Sequence, residues 1–255
     1  MNRLVLAVCA LCSVLACVAA AAPESVSMPP GLVSWWKANG NAKDSAGPNN
    51  GTIQGGVTFA AGHPAGKAFS FNGTTGDVRT GNRASLHKNG GGFTVTEWVW
   101  FSALVGPKGA NDPCFSPTGC DMSIVDKMSN SGGANSDGWR LLKQSDNHFW
   151  FCVGAAGNGC VAGKSTTARS TTVAKAHTWY FVTGVLSPAN KLSIYVNGSR
   201  QSTATGTGLV DTDASPMFIS SNGGASAFMY GKIDDIQYYN TALTAAQILQ
   251  LYKMP

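Results

Sequence analysis

The sequence predicts an all-β protein, a sandwich of two antiparallel sheets with one short helix at its C-terminal end. Short apolar runs rich in β-forming residues recur between turns that contain Gly or Asn, which is the pattern of a sandwich. The composition agrees, because Gly contributes 31 of 255 residues and only 12% of residues are charged. These proportions favour strands joined by turns over a helical protein.

The clearest predicted strand covers residues 93–100, where β-forming side chains alternate. Residues 149–153 form a second run, and residues 179–186 form a third that is almost continuously apolar and is therefore expected inside a sheet. Asn197-Gly198 tolerates the positive φ angles of a type I′ turn, so the runs on either side of it are predicted to form a hairpin. The other predicted strands are residues 191–196, 199–202, 216–220 and 231–239.

The one predicted helix lies at the C-terminus. Thr244 can cap it, and Gln247 stands at the third helical position, where it completes a capping box. An apolar stripe would pack this helix across a sheet edge or end. The stripe consists of Ile248, Leu249, Leu251 and Tyr252.

The N-terminal segment has the features of an export signal. A basic start that ends at Arg3 precedes an uncharged apolar run over residues 4–16, and small residues follow at positions 19–22. The run is shorter than the roughly 20 residues that a membrane-spanning helix needs, and no later stretch predicts a transmembrane span. We therefore expect a secreted, extracellular or periplasmic protein. Its expected divisions are a signal peptide at 1–22, a tether at 23–30 and one domain at 31–255.

A second interpretation of the N-terminal segment would attach the protein to a membrane. Val14-Leu15-Ala16-Cys17 resembles a bacterial lipobox, which would put a lipid anchor on Cys17. Leu15 is unusual just before the small residue, and the alanines at 19–22 offer an ordinary cleavage site. Both alternatives stay open.

Four cysteines remain beyond the signal segment, an even number in an oxidising location, so two disulfides are expected. The sequence allows three pairings. We favour Cys114–Cys120 with Cys152–Cys160, because each pair closes a short loop that contains Gly or Pro. The spacings do not match a zinc knuckle.

The formal charge of +5 becomes +4 when Arg3 leaves with the signal segment, and the positive residues are spread thinly. Without a Lys/Arg cluster or a basic helix, the sequence does not indicate a nucleic-acid partner.

The order and spacing of several short segments carry a resemblance to a known family. The segments are Gly31–Trp36, Asn39–Gly47, Asn49–Thr52, Ala68–Gly73, Phe93–Val99, Trp179–Val182, Ile194–Gly198, Gly231–Ile236 and Tyr239–Thr244. They resemble the laminin-G-like branch of the concanavalin A-like lectin/glucanase superfamily, which implies a jelly-roll sandwich. Members bind glycans, proteins or surfaces, and a subset are glycoside hydrolases or lyases, so the fold narrows the function without deciding it.

The carboxylates argue against catalysis. Retaining glucanases of the superfamily carry a Glu-x-Asp-x-Glu-type strand, since hydrolysis needs a nucleophile and an acid about 5 Å apart. This chain has two Glu residues, Glu24 and Glu97, and lacks that motif as well as Gly-x-Ser-x-Gly and His-Glu-x-x-His. We therefore expect a non-catalytic binding module for a glycan or other cell-surface ligand. A protein-binding adhesion module is the alternative, and a diverged glycoside hydrolase or lyase is the third.

Tryptophans supply the candidate ligand site. Trp100 and Trp150 fall where the family has polar residues, and an exposed Trp face can stack on a sugar ring. Trp139-Arg140 lies near the same hairpin and could extend this platform, although Trp139 also suits the core. Packing of Trp100 and Trp150 under loops is the alternative. Three other tryptophans match core positions of the family: Trp35, Trp98 and Trp179.

Glu97 is unusual, because the family has a small residue there and alternation places Glu97 on the face of Val95 and Val99. One hypothesis puts its carboxylate in a ligand groove, where it hydrogen-bonds sugar hydroxyls. The other pairs it with a local Lys or Arg or places it at the sheet rim. Some partner is expected, since an isolated buried carboxylate is costly.

The resemblance also implies a structural Ca²⁺ site, because several branches of the superfamily ligate Ca²⁺ through an Asp on the last strand. Asp234 matches that position, and Asp44, in an Asp-Ser-x-Gly turn, is a second candidate. Carboxylate and main-chain carbonyl oxygens suit this hard cation. Alternatively, Asp44 caps its turn and Asp235 is a solvated surface charge.

Overall fold

The computed structural model describes residues 27–87, 91–107, 119–128, 138–154, 166–206 and 215–254. These residues form fifteen strands, one 3-10 helix at Ala84–Leu86 and one α-helix, α1, at Ala245–Tyr252. The predicted signal segment and Cys17 lie outside them. Within the described segments, no helix has both the length and the apolar character to cross a bilayer.

The strands form two sheets. In chain order they are β1 (Leu32–Trp36), β2 (Thr52–Gln54), β3 (Thr58–Ala61), β4 (Lys67–Asn72), β5 (Asp77–Arg79), β6 (Phe93–Phe101), β7 (Met122–Met128), β8 (Gly138–Lys143), β9 (His148–Gly154), β10 (Thr166–Val173), β11 (Trp179–Leu186), β12 (Lys191–Val196), β13 (Ser199–Thr205), β14 (Phe218–Ile219) and β15 (Tyr230–Tyr239). Sheet A has the order β13-β12-β11-β6-β15-β4-β3, with β1 also paired to β15. Sheet B has the order β10-β9-β8-β7-β14-β5-β2.

All described strand pairs are antiparallel, and the main core lies between the two sheets. Alternation along each strand decides which side chains enter it: on β6, Val99 and Phe101 face inward, and on β9, Phe149 and Phe151 do so. The sheets approach closely at Gly184, where a Cβ would lie 2.5 Å from the Phe151 ring. The predicted all-β sandwich is confirmed.

The helix α1 covers the outer face of sheet A, the face turned away from sheet B. Ile248 and Leu251 of α1 join Trp98, Phe181 and Tyr239 of the sheet in a second apolar cluster. The predicted capping box at the start of the helix is present. Met28, which precedes β1, and Met254, which follows α1, also pack against this cluster.

One strand prediction needed correction, and six observed strands were not predicted. The run 216–220 contributes only the short strand Phe218–Ile219. In β7, one of the strands that were not predicted, Asp126 and Lys127 interrupt the apolar pattern although both are fully buried. The others are β2, β3, β5, β8 and β10. The Asn197-Gly198 hairpin is confirmed, with φ angles of 51° and 76° at the two turn residues.

Candidate functional site

Trp100 and Trp150 lie on opposite outer faces of the sandwich. Trp100 lies between the core residues Val99 and Phe101 on β6, so it projects from sheet A away from the core. Trp150 lies between the core residues Phe149 and Phe151 on β9 and projects from sheet B. The single platform expected from the sequence therefore does not form.

The neighbouring pair Trp139-Arg140 has structural contacts. Trp139 is 0% exposed, and its ring centroid lies 5.2 Å from that of Phe93 within the core, so it does not reach a ligand. Arg140 forms an ion pair with Asp126 at 2.7 Å and donates a hydrogen bond to Asn222 Oδ1 at 2.7 Å. Both contacts hold Arg140 against sheet B.

Glu97 is fully buried between the sheets, and both hypotheses about it need correction. Neither carboxyl oxygen has a hydrogen-bond partner among the described residues, so Glu97 lies in no groove and forms no ion pair. Burial raises the pKa of this carboxyl well above its ordinary value, which favours the neutral form.

A pocket of about 310 Å³ opens on the outer face of sheet A, between the segment that precedes β1 and the end of α1. Its walls combine two indole rings, apolar side chains and two polar groups, as small-molecule sites commonly do. The lining residues are Met28, Trp35, Pro64, Trp98, Phe181, Asp235, Gln237, Leu251 and Met254.

Asp235 is held beside Trp35 in this pocket. The pairing of β15 with β6 is irregular between Asp234 and Gln237, and Asp235 takes a positive φ of 46° there. The Trp35 indole N–H donates to Asp235 Oδ1 at 2.8 Å, and no donor among the described residues is bonded to Oδ2. Burial raises the pKa of Asp235, while the Trp35 hydrogen bond and the charge of Lys37 oppose that shift.

Gln237 supplies the second polar group. The Tyr239 hydroxyl donates to Gln237 Oε1 at 2.7 Å, so the amide Nε2 is the group left to donate into the pocket. The pocket thus presents an acceptor on Asp235 and a donor on Gln237 next to the rings of Trp35 and Trp98. This set can hold a flat, hydroxyl-bearing ligand.

Asp234 lies behind the pocket, at 2% exposure. Its Oδ2 accepts from the His63 main-chain N–H at 2.8 Å, and its Oδ1 accepts from the Asp235 main-chain N–H at 2.9 Å. Burial raises the pKa of Asp234 to about 7 despite these hydrogen bonds. The His63 ring stacks on Trp98, with centroids 3.9 Å apart, so Asp234 fixes the loop that forms one wall.

The two carboxylates proposed for Ca²⁺ each accept main-chain N–H groups on both oxygens. Asp44 Oδ1 accepts main-chain N–H groups of Trp35, Ala46 and Gly47, and Oδ2 accepts that of Asn49, at 2.9–3.1 Å. Burial would raise the pKa of Asp44, but these hydrogen bonds outweigh it and lower the pKa. These four N–H groups make Asp44 the organiser of its turn.

No cluster of three or more His, Cys, Asp or Glu side chains within the described ranges is arranged to hold a metal ion. The predicted Ca²⁺ site also draws on main-chain carbonyl oxygens, so a site at Asp234 and Asp44 stays a prediction.

Cys120 and Cys152 are buried. Cys114 and Cys160 lie outside the described residues, so the pairings Cys114–Cys120 and Cys152–Cys160 stay predictions.

Sequence reasoning missed the pocket residues. It assigned Trp35 to the core and Asp235 to the solvated surface, whereas Trp98, also assigned to the core, is 7% exposed in the second apolar cluster and lines the pocket as well. A signal was available on β6, because Trp98 alternates with the inward-facing Val99 and must project from the other face of the sheet. The irregular pairing at Asp235 had no counterpart in the sequence pattern.

Comparison with known proteins agrees with this fold. The binding domain of Paraclostridial Mosquitocidal Protein 1 has a TM-score of 0.65 at 17% identity, with 87% of this chain and 52% of that chain covered. Domain 4 of AbnA, an extracellular arabinanase from Geobacillus stearothermophilus in complex with arabinotriose, has a TM-score of 0.63 at 17% identity, with 87% and 98% covered.

The binding domain of Botulinum neurotoxin DC, in complex with rat synaptotagmin II, has a TM-score of 0.61 at 15% identity, with 87% and 51% covered. The chain spans about half the length of the toxin domains it matches. No curated protein sequence matches it.

A family model, Laminin_G_3 of the concanavalin A-like lectin/glucanases superfamily, matches residues 72–249. This match covers more than half of the chain, and the two-sheet sandwich described above is consistent with it. The chain therefore belongs to the Laminin_G_3 family of the concanavalin A-like lectin/glucanases superfamily.

Proposed function

We propose that the chain is a non-catalytic carbohydrate-binding module that acts outside the cytoplasm and binds its ligand in the pocket on the outer face of sheet A. The observation that carries the proposal is the pairing of Trp35 and Trp98 with Asp235 and Gln237 around one cavity of about 310 Å³. Aromatic faces pack against the apolar faces of sugars, while a carboxylate and an amide can bind their hydroxyls.

The carboxylates of the pocket support binding rather than hydrolysis. Asp235 is the one acidic side chain among its described lining residues, whereas glycoside hydrolysis uses a pair of carboxyl groups. Asp234 is next in sequence, but both of its oxygens accept main-chain N–H groups behind the wall. A structure of AbnA domain 4 in complex with arabinotriose adds a sugar-bound example of a similar fold.

A protein ligand is the second candidate. Met28 and Met254 line the pocket, and methionine side chains adapt to varied apolar partners. A concave pocket with paired polar groups favours a glycan, whereas a flat apolar surface would favour a protein.

A glycan array tests the proposal with three variants. Trp35→Ala removes one wall and Asp235→Asn removes the charge, whereas Trp150→Ala removes a tryptophan from the opposite face and serves as the matched control. We expect both pocket variants to lose about tenfold in affinity, the effect of one charged hydrogen bond or a stacking contact. Trp150→Ala should bind like the wild type.

Circular dichroism would first establish that each variant is folded. The proposal is wrong if the folded wild type binds no glycan on the array. A loss in Trp150→Ala alone would move the site to sheet B.

A further inference from the structure

Three side chains cross the outer face of sheet A next to the pocket, and we call them the tryptophan row. Trp179 on β11 lies directly opposite Trp100 on β6, and Lys232 on β15 lies opposite Trp100 on its other side. All three are partly exposed. Trp98 of the pocket lies two residues from Trp100 on the same face, about 7 Å along the strand.

The His63 ring joins the pocket to the tryptophan row. Its centroid lies 3.9 Å from that of Trp98 and 5.5 Å from that of Trp179. The aromatic surface is therefore continuous from the pocket to the row, and a ligand longer than one sugar unit can follow it.

Lys232 brings a positive charge to this surface. Its Nζ lies 4.4 Å from the Trp100 centroid and 5.6 Å from the Trp179 centroid, and it donates to the Ala61 carbonyl at 3.2 Å. Lys232 forms no ion pair with the described residues. Lys37, the other lysine over a tryptophan, lies 3.9 Å from the Trp35 centroid, and its charge acts on Asp235.

The two ends of the surface therefore favour different sugars. At the pocket, Asp235 repels an anion and accepts hydroxyl groups. At the row, Lys232 offers an ammonium without a carboxylate partner among the described residues, beside two rings that lower the local polarity and strengthen a charged contact.

We infer that the module binds an acidic oligosaccharide, with a neutral unit in the pocket and a negatively charged unit at Lys232 over the tryptophan row. The inference rests on the proposed function and adds the class of glycan to it. The negative group is a carboxylate, as in uronates and sialates, or a sulfate ester.

The test is an array of neutral, uronate-bearing, sialate-bearing and sulfate-bearing oligosaccharides, probed with the wild type and two lysine variants. Lys232→Met keeps the aliphatic cover over Trp100 and removes the charge. Lys191→Met removes an equal charge from an exposed position in the strand β12 and is the matched control. We expect Lys232→Met to bind acidic glycans about tenfold more weakly, and Lys191→Met to bind them unchanged.

The outcomes separate this inference from the proposed function. Weaker binding of acidic glycans by Lys232→Met than by the wild type supports the inference. The uronate, sialate and sulfate glycans on the array then show whether the bound group is a carboxylate or a sulfate. Binding of neutral glycans alone, or of acidic glycans equally by both variants, overturns the inference and leaves the proposed function standing. A folded wild type that binds nothing overturns both.

Discussion

Among single residues, Glu97 carries the clearest thermodynamic consequence. It lies between the sheets with no hydrogen-bond partner in the described part of the chain, and burial raises the pKa of its carboxyl well above the ordinary value of 4.5. The folded state therefore binds a proton that the unfolded state releases above pH 4.5. The contribution of the Glu97 carboxyl to the free energy of unfolding is therefore greatest at low pH. It falls as the pH rises from 4.5 towards the pKa of the folded state.

We expect Glu97→Gln to flatten the pH dependence of stability, because the amide cannot ionise. Between pH 4.5 and the raised pKa of the folded state, the wild type should lose up to about 1.4 kcal/mol of unfolding free energy per pH unit more than the variant, the value for one proton. Urea unfolding at several pH values measures this slope. Asp234, whose pKa is about 7, adds a slope of the same sign below pH 7 in both proteins.

Glu97→Asp is the control, because it keeps an ionisable group and should keep the slope. Equal slopes for the wild type and Glu97→Gln would show that the carboxyl ionises in the folded state at little cost.

At the scale of elements, two features of the chain build the pocket. The irregular pairing of β15 places Asp235 beside Trp35, since an extra residue in a strand re-aims the side chains around it. The helix α1 supplies Leu251, and Met254 follows just beyond its end. The pocket therefore keeps its shape only while α1 stays packed on sheet A.

We expect Thr244→Ala to destabilise the protein by about 1 kcal/mol, because the Thr244 side chain accepts a hydrogen bond from Gln247 in the capping box. Guanidinium unfolding at neutral pH measures the loss. Thr244→Ser keeps the hydroxyl and should stay close to the wild type. Equal destabilisation by Ala and Ser would assign the effect to the threonine methyl group instead.

At the scale of the whole molecule, the sandwich separates the outer faces that carry Trp100 and Trp150 by the thickness of two packed sheets. Ligand contacts on one face are thus independent of those on the other. The same architecture brings the residues just before β1 and the helix α1 together over sheet A, since Gln250 Nε2 donates to the Ser27 carbonyl at 2.9 Å.

We expect the melting temperature to be indifferent to a chelator, because main-chain N–H groups occupy the oxygens of Asp44 and Asp234. Thermal unfolding with EDTA, with added Ca²⁺ and with added Mg²⁺ checks this. A melting temperature that falls in EDTA and returns only with Ca²⁺ would restore the calcium site that the family resemblance implies.

The sequence by itself determined the fold class, the hairpin at Asn197-Gly198 and the capped C-terminal helix. Each of these depends on local chemistry: alternation along a strand, positive φ at a turn, or hydrogen bonding at a helix end. Only the tertiary structure decided the candidate site. Strands that are distant in sequence must pair before a tryptophan and a carboxylate can share one face of a sheet. Trp35 and Asp235 meet only because β1 pairs with β15.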